Sequence, residues 1–118
     1  KGGDHMPYLH AKTNGIITKE QEIRLKERFG EAITLLGKTE NWLMVEVEDQ
    51  CRLYFKGDGE QSAAFVEIRL FGKASASSYD AMTEAATKIV EEELKIPGDR
   101  IYVQYEEVDH WGYDGSNF

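Results

Sequence analysis

A chain of 118 residues with a formal net charge of −8 is long enough for one packed core and too short for two. The acidic balance, with no Lys/Arg cluster against it, excludes a nucleic-acid partner, and no apolar stretch approaches the roughly 18 residues of a membrane span. One cysteine, Cys51, excludes an intrachain disulfide and fits a reducing compartment, so with no signal peptide the expected location is cytoplasmic.

Residues 1–6 read as a cloning remnant, Lys1 to His5, plus an initiator Met6; residues 7–118 are expected to form one domain. The second residue of a Met-Pro start is small, which favours removal of the methionine and would leave Pro7 with a free secondary amine. The run PYLHAKTN then sets Leu9 and Ala11 against Tyr8, His10 and Lys12, the alternation of a strand, broken by Asn14-Gly15. Thr18 and Gln21 form a capping-box pair, and Leu25, Phe29, Ala32, Ile33 and Leu36 make an amphipathic stripe that Gly37 ends. NWLMVEVED is a second strand, with Leu43, Val45 and Val47 opposite Trp42, Met44 and Glu46. Cys51 just after it is read as a small half-buried strand residue.

AAFVEIRLF alternates Ala64, Val66, Ile68 and Leu70 against Phe65, Glu67, Arg69 and Phe71. Ser77 with Asp80 can cap the next helix, whose face carries Tyr79, Met82, Ala86, Ile89, Val90 and Leu94, and Pro97-Gly98 stops it. The acidic run at residues 91 to 93 reads as a solvated turn of that helix. DRIYVQYEEV is the matching strand, with Ile101, Val103 and Tyr105 on its apolar side. Leu43 to Asp49 lie over Ile101 to Glu107 at a shift of 58 residues, so the chain is a duplicated βαβ unit, about 7–50 and 62–108.

Parallel strands joined by a right-handed crossover, taken twice, give an α+β sandwich: a four-stranded mixed sheet with both helices on one face. The other face mixes Tyr8, Glu67, Arg69, Phe71, Tyr102 and Gln104, too aromatic for plain solvent and too charged for a core. That mixture points to oligomerisation around a wet interior.

The Met-Pro start, the duplicated βαβ, GKTENW, FGK, PGDRIYVQY and the ending WGYDGSNF together resemble the macrophage migration inhibitory factor group of the tautomerase superfamily. The resemblance covers residues 6 to 118. It implies a homotrimer with active sites at subunit interfaces and an N-terminal proline, here Pro7, as catalytic base. It further implies that Lys38 binds the substrate carboxylate, that the backbone at Phe71 contacts substrate, and that Tyr102 and Gln104 complete the site, the tyrosine coming from a neighbouring subunit. Trp42, Trp111 and Tyr113 would form an apolar rim.

The function so implied is a phenylpyruvate- or dopachrome-type keto–enol tautomerase, an isomerase that needs no cofactor and no metal. The alternative is a cytokine-like protein that binds a cell-surface receptor after release without a signal peptide, with the pocket incidental. Gln104 replaces a frequent asparagine, Phe71 is bulkier than the usual aliphatic residue, and Trp111 and Tyr113 vary the rim while keeping it aromatic. Ala63 and Val66 stand where some members carry a Cys-x-x-Cys, so no thiol exchange is implied.

Outside the resemblance these residues have plainer readings. Lys38 suits a helix C-terminus, Tyr102 suits a strand, and Trp42, Trp111 and Tyr113 could fill an interface. His5, His10 and His110 show no metal-ligand spacing with Cys51 or with one another. KASASS lacks the glycines of a phosphate loop.

Overall fold

The computed structural model describes residues 6–118; Lys1 to His5, with the histidine and the cloning-remnant reading, lie outside the described residues. The first unit comprises β1 (Pro7–Thr13), α1 (Lys19–Ala32) and β2 (Met44–Glu48). The second comprises β3 (Ala64–Phe71), α2 (Ala76–Leu94) and β4 (Ile101–Val108), followed by a short hairpin of β5 (Gly112–Tyr113) and β6 (Ser116–Asn117). The sheet order is β2-β1-β3-β4, with parallel β1–β2 and β3–β4 pairs and an antiparallel seam between β1 and β3.

Strand alternation decides what the helices cover. Leu9, Ala11, Val66 and Ile68 point into one buried cluster with Leu25, Phe29 and Ile33 of the first unit and Met82, Ala86 and Val90 of the second. At about 25 cal/mol per Å² of apolar area, this shared layer is the main term holding the helices to the sheet. The opposite face is arranged in cross-strand rows: Met44, Tyr8, Arg69 and Glu106; then Glu46, His10, Glu67 and Gln104; then Glu48, Lys12, Phe65 and Tyr102.

Thr18 caps α1 through the expected capping box with Gln21. The second cap differs from expectation: Ser75, not Ser77, accepts the N–H of Ser78, because the helix begins at Ala76. Asn41 and Trp42 belong to a 3-10 turn, Glu40–Trp42, and not to the strand. Cys51 is half-buried but lies beyond β2, donating its backbone N–H to Thr13 O at 3.0 Å. The run at 91 to 93 is more than a solvated turn. Glu93 pairs with Arg24 at 2.6 Å and Arg28 at 3.0 Å, and Glu92 pairs with Arg28 at 2.8 Å, tying α2 to α1.

The two units do not follow a single shift. Thr18, Gln21, Leu25 and Ile33 correspond to Ser75, Ser78, Met82 and Val90 at 57 residues, whereas Met44 corresponds to Tyr102 at 58. The extra residue is absorbed at the helix ends. After Ala32 the first unit tightens into a 3-10 turn, Ile33–Leu36, while α2 continues as α-helix to Leu94. Four residues rising about 2.0 Å each span nearly what five span at about 1.5 Å. Both pathways then reverse through a left-handed residue, Gly37 at φ 74° and Lys95 at φ 59°. The strand register is therefore the same in both units: Tyr8 on Met44 answers to Phe65 on Tyr102.

A left-handed lysine carries strain that glycine escapes. Lys95→Gly is expected to raise the unfolding free energy by about 0.5–1 kcal/mol, and Gly37→Ala to lower it by about 1 kcal/mol, in urea denaturation.

Candidate active site

Pro7 has no backbone N–H to give, so it is tolerated only at a strand's start, and it opens β1 in the middle of the sheet. The antiparallel seam pairs it with Leu70, which brings the head of β1 to the tail of β3. The Pro7 ring is fully buried and Met6 is 4% exposed. In this chain Met6 acylates the Pro7 nitrogen, and its carbonyl accepts the backbone N–H of Phe71 at 3.1 Å. Beside them opens a cavity of about 750 Å³, lined by Met6, Pro7, Tyr8, Trp42, Met44, Arg69, Val108, Trp111 and Tyr113, among others.

Lys38 follows the left-handed Gly37. Its counterpart in the second unit, after Lys95, is Ile96, which is 2% exposed in the core. The first unit thus places a lysine, 7% exposed, where the second places an isoleucine. Lys38 Nζ donates to the Phe71 carbonyl at 3.2 Å, so both backbone polar groups of Phe71 are engaged beside Pro7. Neither Lys38 nor Phe71 is among the residues lining the cavity.

The rim joins Trp42, at the end of the first crossover, to the C-terminal segment. Asp114 and Gly115, at φ 52° and 87°, make the tight turn of the β5–β6 hairpin, an Asp-Gly signal the sequence reading passed over. The hairpin sets Tyr113 edge-on to Trp42, with ring centroids 5.2 Å apart. Phe118 stacks on Tyr113 at 6.5 Å and leans on Phe71 at 5.9 Å. Phe118 was missed as a support of the rim because its place depends on that hairpin, which folds it back onto Tyr113 and Phe71.

Tyr102 and Gln104 are not part of this gathering. Because the seam is antiparallel, the head of the second unit lies at the opposite end of the sheet. There a smaller cavity of about 190 Å³ is lined by Phe55, Ala63, Ala64, Phe65, Arg100 and Tyr102, with others. It is the internal counterpart of the first: Ala63 and Ala64 answer to Met6 and Pro7, Phe65 to Tyr8, and Tyr102 to Met44. Tyr102 is 57% exposed, held edge-on by Phe55 at 5.2 Å and Phe65 at 6.2 Å. Phe55 is anchored in turn by Arg100, whose guanidinium donates to the carbonyls of Phe55, Asp58, Gln61 and Ser62. Gln104 is exposed, in register with Glu67.

Charge is concentrated on the open face. Tyr8 donates to Glu46, and this hydrogen bond is the main reason its phenol is pushed up to about 12, where it stays protonated at any working pH. His10 has Nε2 2.9 Å from Glu48 and Nδ1 3.2 Å from Glu67. With Glu46 and Glu48 it offers ligand atoms within 4.8 Å of one another, a grouping invisible to a spacing comparison among histidines and Cys51 because it exists only through β1–β2 pairing. His110 is exposed. Burial pushes the Cys51 thiol up, away from the thiolate form. Among the described residues, no helix is long and apolar enough to cross a membrane.

Residues 6–118 match the family described as "Macrophage migration inhibitory factor (MIF)". A macrophage migration inhibitory factor homolog of Brugia malayi is 25% identical over 115 residues, covering 96% of this chain and 99% of that protein. The crystal structure of Leishmania major MIF2 superposes with a TM-score of 0.91 at 30% identity, covering 98% of this chain and all of that one. A protein crystallised after inactivation by 2-oxo-3-pentynoate shares the fold, with a TM-score of 0.82 at 16% identity over 92% of this chain and 93% of that one.

The Tyr8–Glu46 bond makes a direct test of the open-face geometry. In Glu46→Gln the phenol of Tyr8 is expected to titrate below about 12, closer to the ordinary 10.0, in an ultraviolet difference titration. An unchanged titration would mean that the two side chains do not meet.

Proposed function

The chain belongs to the macrophage migration inhibitory factor family, and on that premise we propose that a form beginning at Pro7 is a cofactor-independent keto–enol tautomerase of aromatic 2-oxo acids. One observation carries the reading: a buried proline at the head of a central strand, beside a large aromatic-rimmed cavity, with the preceding carbonyl occupying the Phe71 N–H. Without Met6 two things change together. Pro7 becomes a secondary amine at the cavity wall, and the Phe71 N–H loses its acceptor and turns into a donor for substrate.

An α-amino group in water has a pKa of about 8, and a secondary amine is intrinsically more basic. Burial and the neighbouring Lys38 ammonium both disfavour a second cation, which lowers the value toward the range where a general base works at neutral pH. Pro7 takes the proton from the enol hydroxyl, the carbonyl forms, and the same nitrogen returns the proton to the conjugate carbon. The Phe71 N–H receives the carboxylate, with Lys38, held on the Phe71 carbonyl, adding positive charge through space. The aromatic ring lies among Trp42, Trp111 and Tyr113.

In a homotrimer, the exposed and pre-oriented Tyr102, with Gln104, would reach this pocket from the neighbouring copy and steady the developing oxyanion. The carboxylate-binding part of this arrangement also suits the inactivator of the distant structural relative, itself a 2-oxo acid.

The test compares phenylpyruvate keto–enol exchange by the form beginning at Pro7 with exchange by the 118-residue chain. The acylated form is expected to be slower by about 10²–10⁴, the worth of a positioned general base. For the active form, kcat/KM should fall on the acid side as Pro7 takes up a proton. Equal rates with Met6 in place would remove Pro7 from the mechanism.

A further inference from the structure

The cation that lines the large cavity is Arg69, not Lys38. It is a cross-strand neighbour of Tyr8 on one side and Glu106 on the other. Its guanidinium lies 5.5 Å from the centroid of the Tyr8 ring, and its Nε is 3.1 Å from Glu106 Oε1. Tyr8 is fixed in its turn by the bond to Glu46. The ring contact and the ion pair orient the guanidinium from two directions, and the Glu106 pair is made through Nε; among the described residues nothing is hydrogen-bonded to the two Nη groups, the outer end of the fork. Such a fork matches a carboxylate in plane, two N–H groups to two oxygens.

We propose that Arg69 is a specificity-determining residue that recognises a second acidic group, so that the ligands of this pocket are aromatic acids carrying an anion at each end. The inference rests on the proposed use of the cavity: one carboxylate lies at the Phe71 N–H and Lys38, and the other reaches Arg69 on the open face. Tyr8, protonated and spent on Glu46, offers no competing negative charge. Glu106 does compete. Its side chain is 63% exposed and that of Arg69 46%, so water screens the pair and an incoming carboxylate can share the guanidinium. The cavity's volume of about 750 Å³ leaves room for a ligand longer than a simple phenylpyruvate.

The experiment uses two rigid, unreactive probes, cinnamate and 4-carboxycinnamate, read by the fluorescence of Trp42 and Trp111 in the form beginning at Pro7. The diacid should bind more tightly to the unaltered protein. Arg69→Gln should erase that preference, a loss of about tenfold for a half-exposed charged hydrogen bond. Arg69→Lys should keep only part of it, and Glu106→Gln should strengthen it by removing the competitor. Equal affinity for the two probes, no binding of the diacid, or a preference that survives Arg69→Gln would each overturn the proposal.

Turnover is measured separately, with phenylpyruvate and its 4-carboxy derivative. Exchange without a diacid preference in binding would leave the tautomerase reading standing and remove Arg69. A preference lost in Arg69→Gln without turnover in any form would do the reverse. Both substituted side chains lie on the exposed face, and a thermal melt confirms that each variant is folded.

Discussion

The antiparallel seam between β1 and β3 is the constraint from which the rest follows. Each βαβ unit is a parallel pair whose first strand, β1 or β3, has an open edge. The seam joins the two open edges through the pairing of Pro7–Thr13 with Ala64–Leu70 and fuses the two apolar layers into one cluster. It also sends the heads of the two units to opposite ends of the sheet. Pro7 therefore meets the tail of β3, with Leu70 and Phe71, and not the head of its own repeat. A fold built from two like halves acquires two unlike ends.

The unlikeness is confined to few positions. Pro7, Lys38 and Tyr8 at one end answer to Ala64, Ile96 and Phe65 at the other, while the strand register beneath them is identical. At the first end a cation sits in a core position, a proline blocks a strand's start, and the cavity is several times larger. At the second end the same framework is filled with apolar side chains and a clamped arginine, and it holds Tyr102 out from the surface. One duplication thus supplies a concave end and a presenting end from the same backbone.

Much of this was legible in the residues because the fold is carried by period. The alternation of Leu9 and Ala11, the stripe from Leu25 to Leu36, and the capping box at Thr18 each fix a local structure that tertiary packing leaves alone. The four-stranded mixed sheet with both helices on one face followed from the duplication; the order β2-β1-β3-β4 did not. What escaped were features made by distant pairing or by single-residue geometry. Ser75 rather than Ser77 caps α2 because several serines compete for one role. Trp42 leaves the strand because a 3-10 turn precedes it, and Glu93 is drawn from solvent by arginines of another helix. Pro7, Trp42, Trp111 and Tyr113 line one cavity. Arg69 was read only as part of the mixed open face and Phe118 only as the end of a motif, since one looks like any exposed strand arginine and the other depends on a hairpin turn.

The unequal helix ends bear on how such a duplicated protein can drift. One unit is a residue longer than the other through its crossover, yet the strands it delivers are in the same register, because a turn of 3-10 helix and a slightly longer stretch of α-helix cover nearly the same distance. An insertion or deletion within a strand would flip every following side chain to the wrong face. At the C-terminal end of a crossover helix it is converted into a change of winding and goes no further. The helix ends are thus the places where the two halves can differ in length while the sheet keeps its faces sorted.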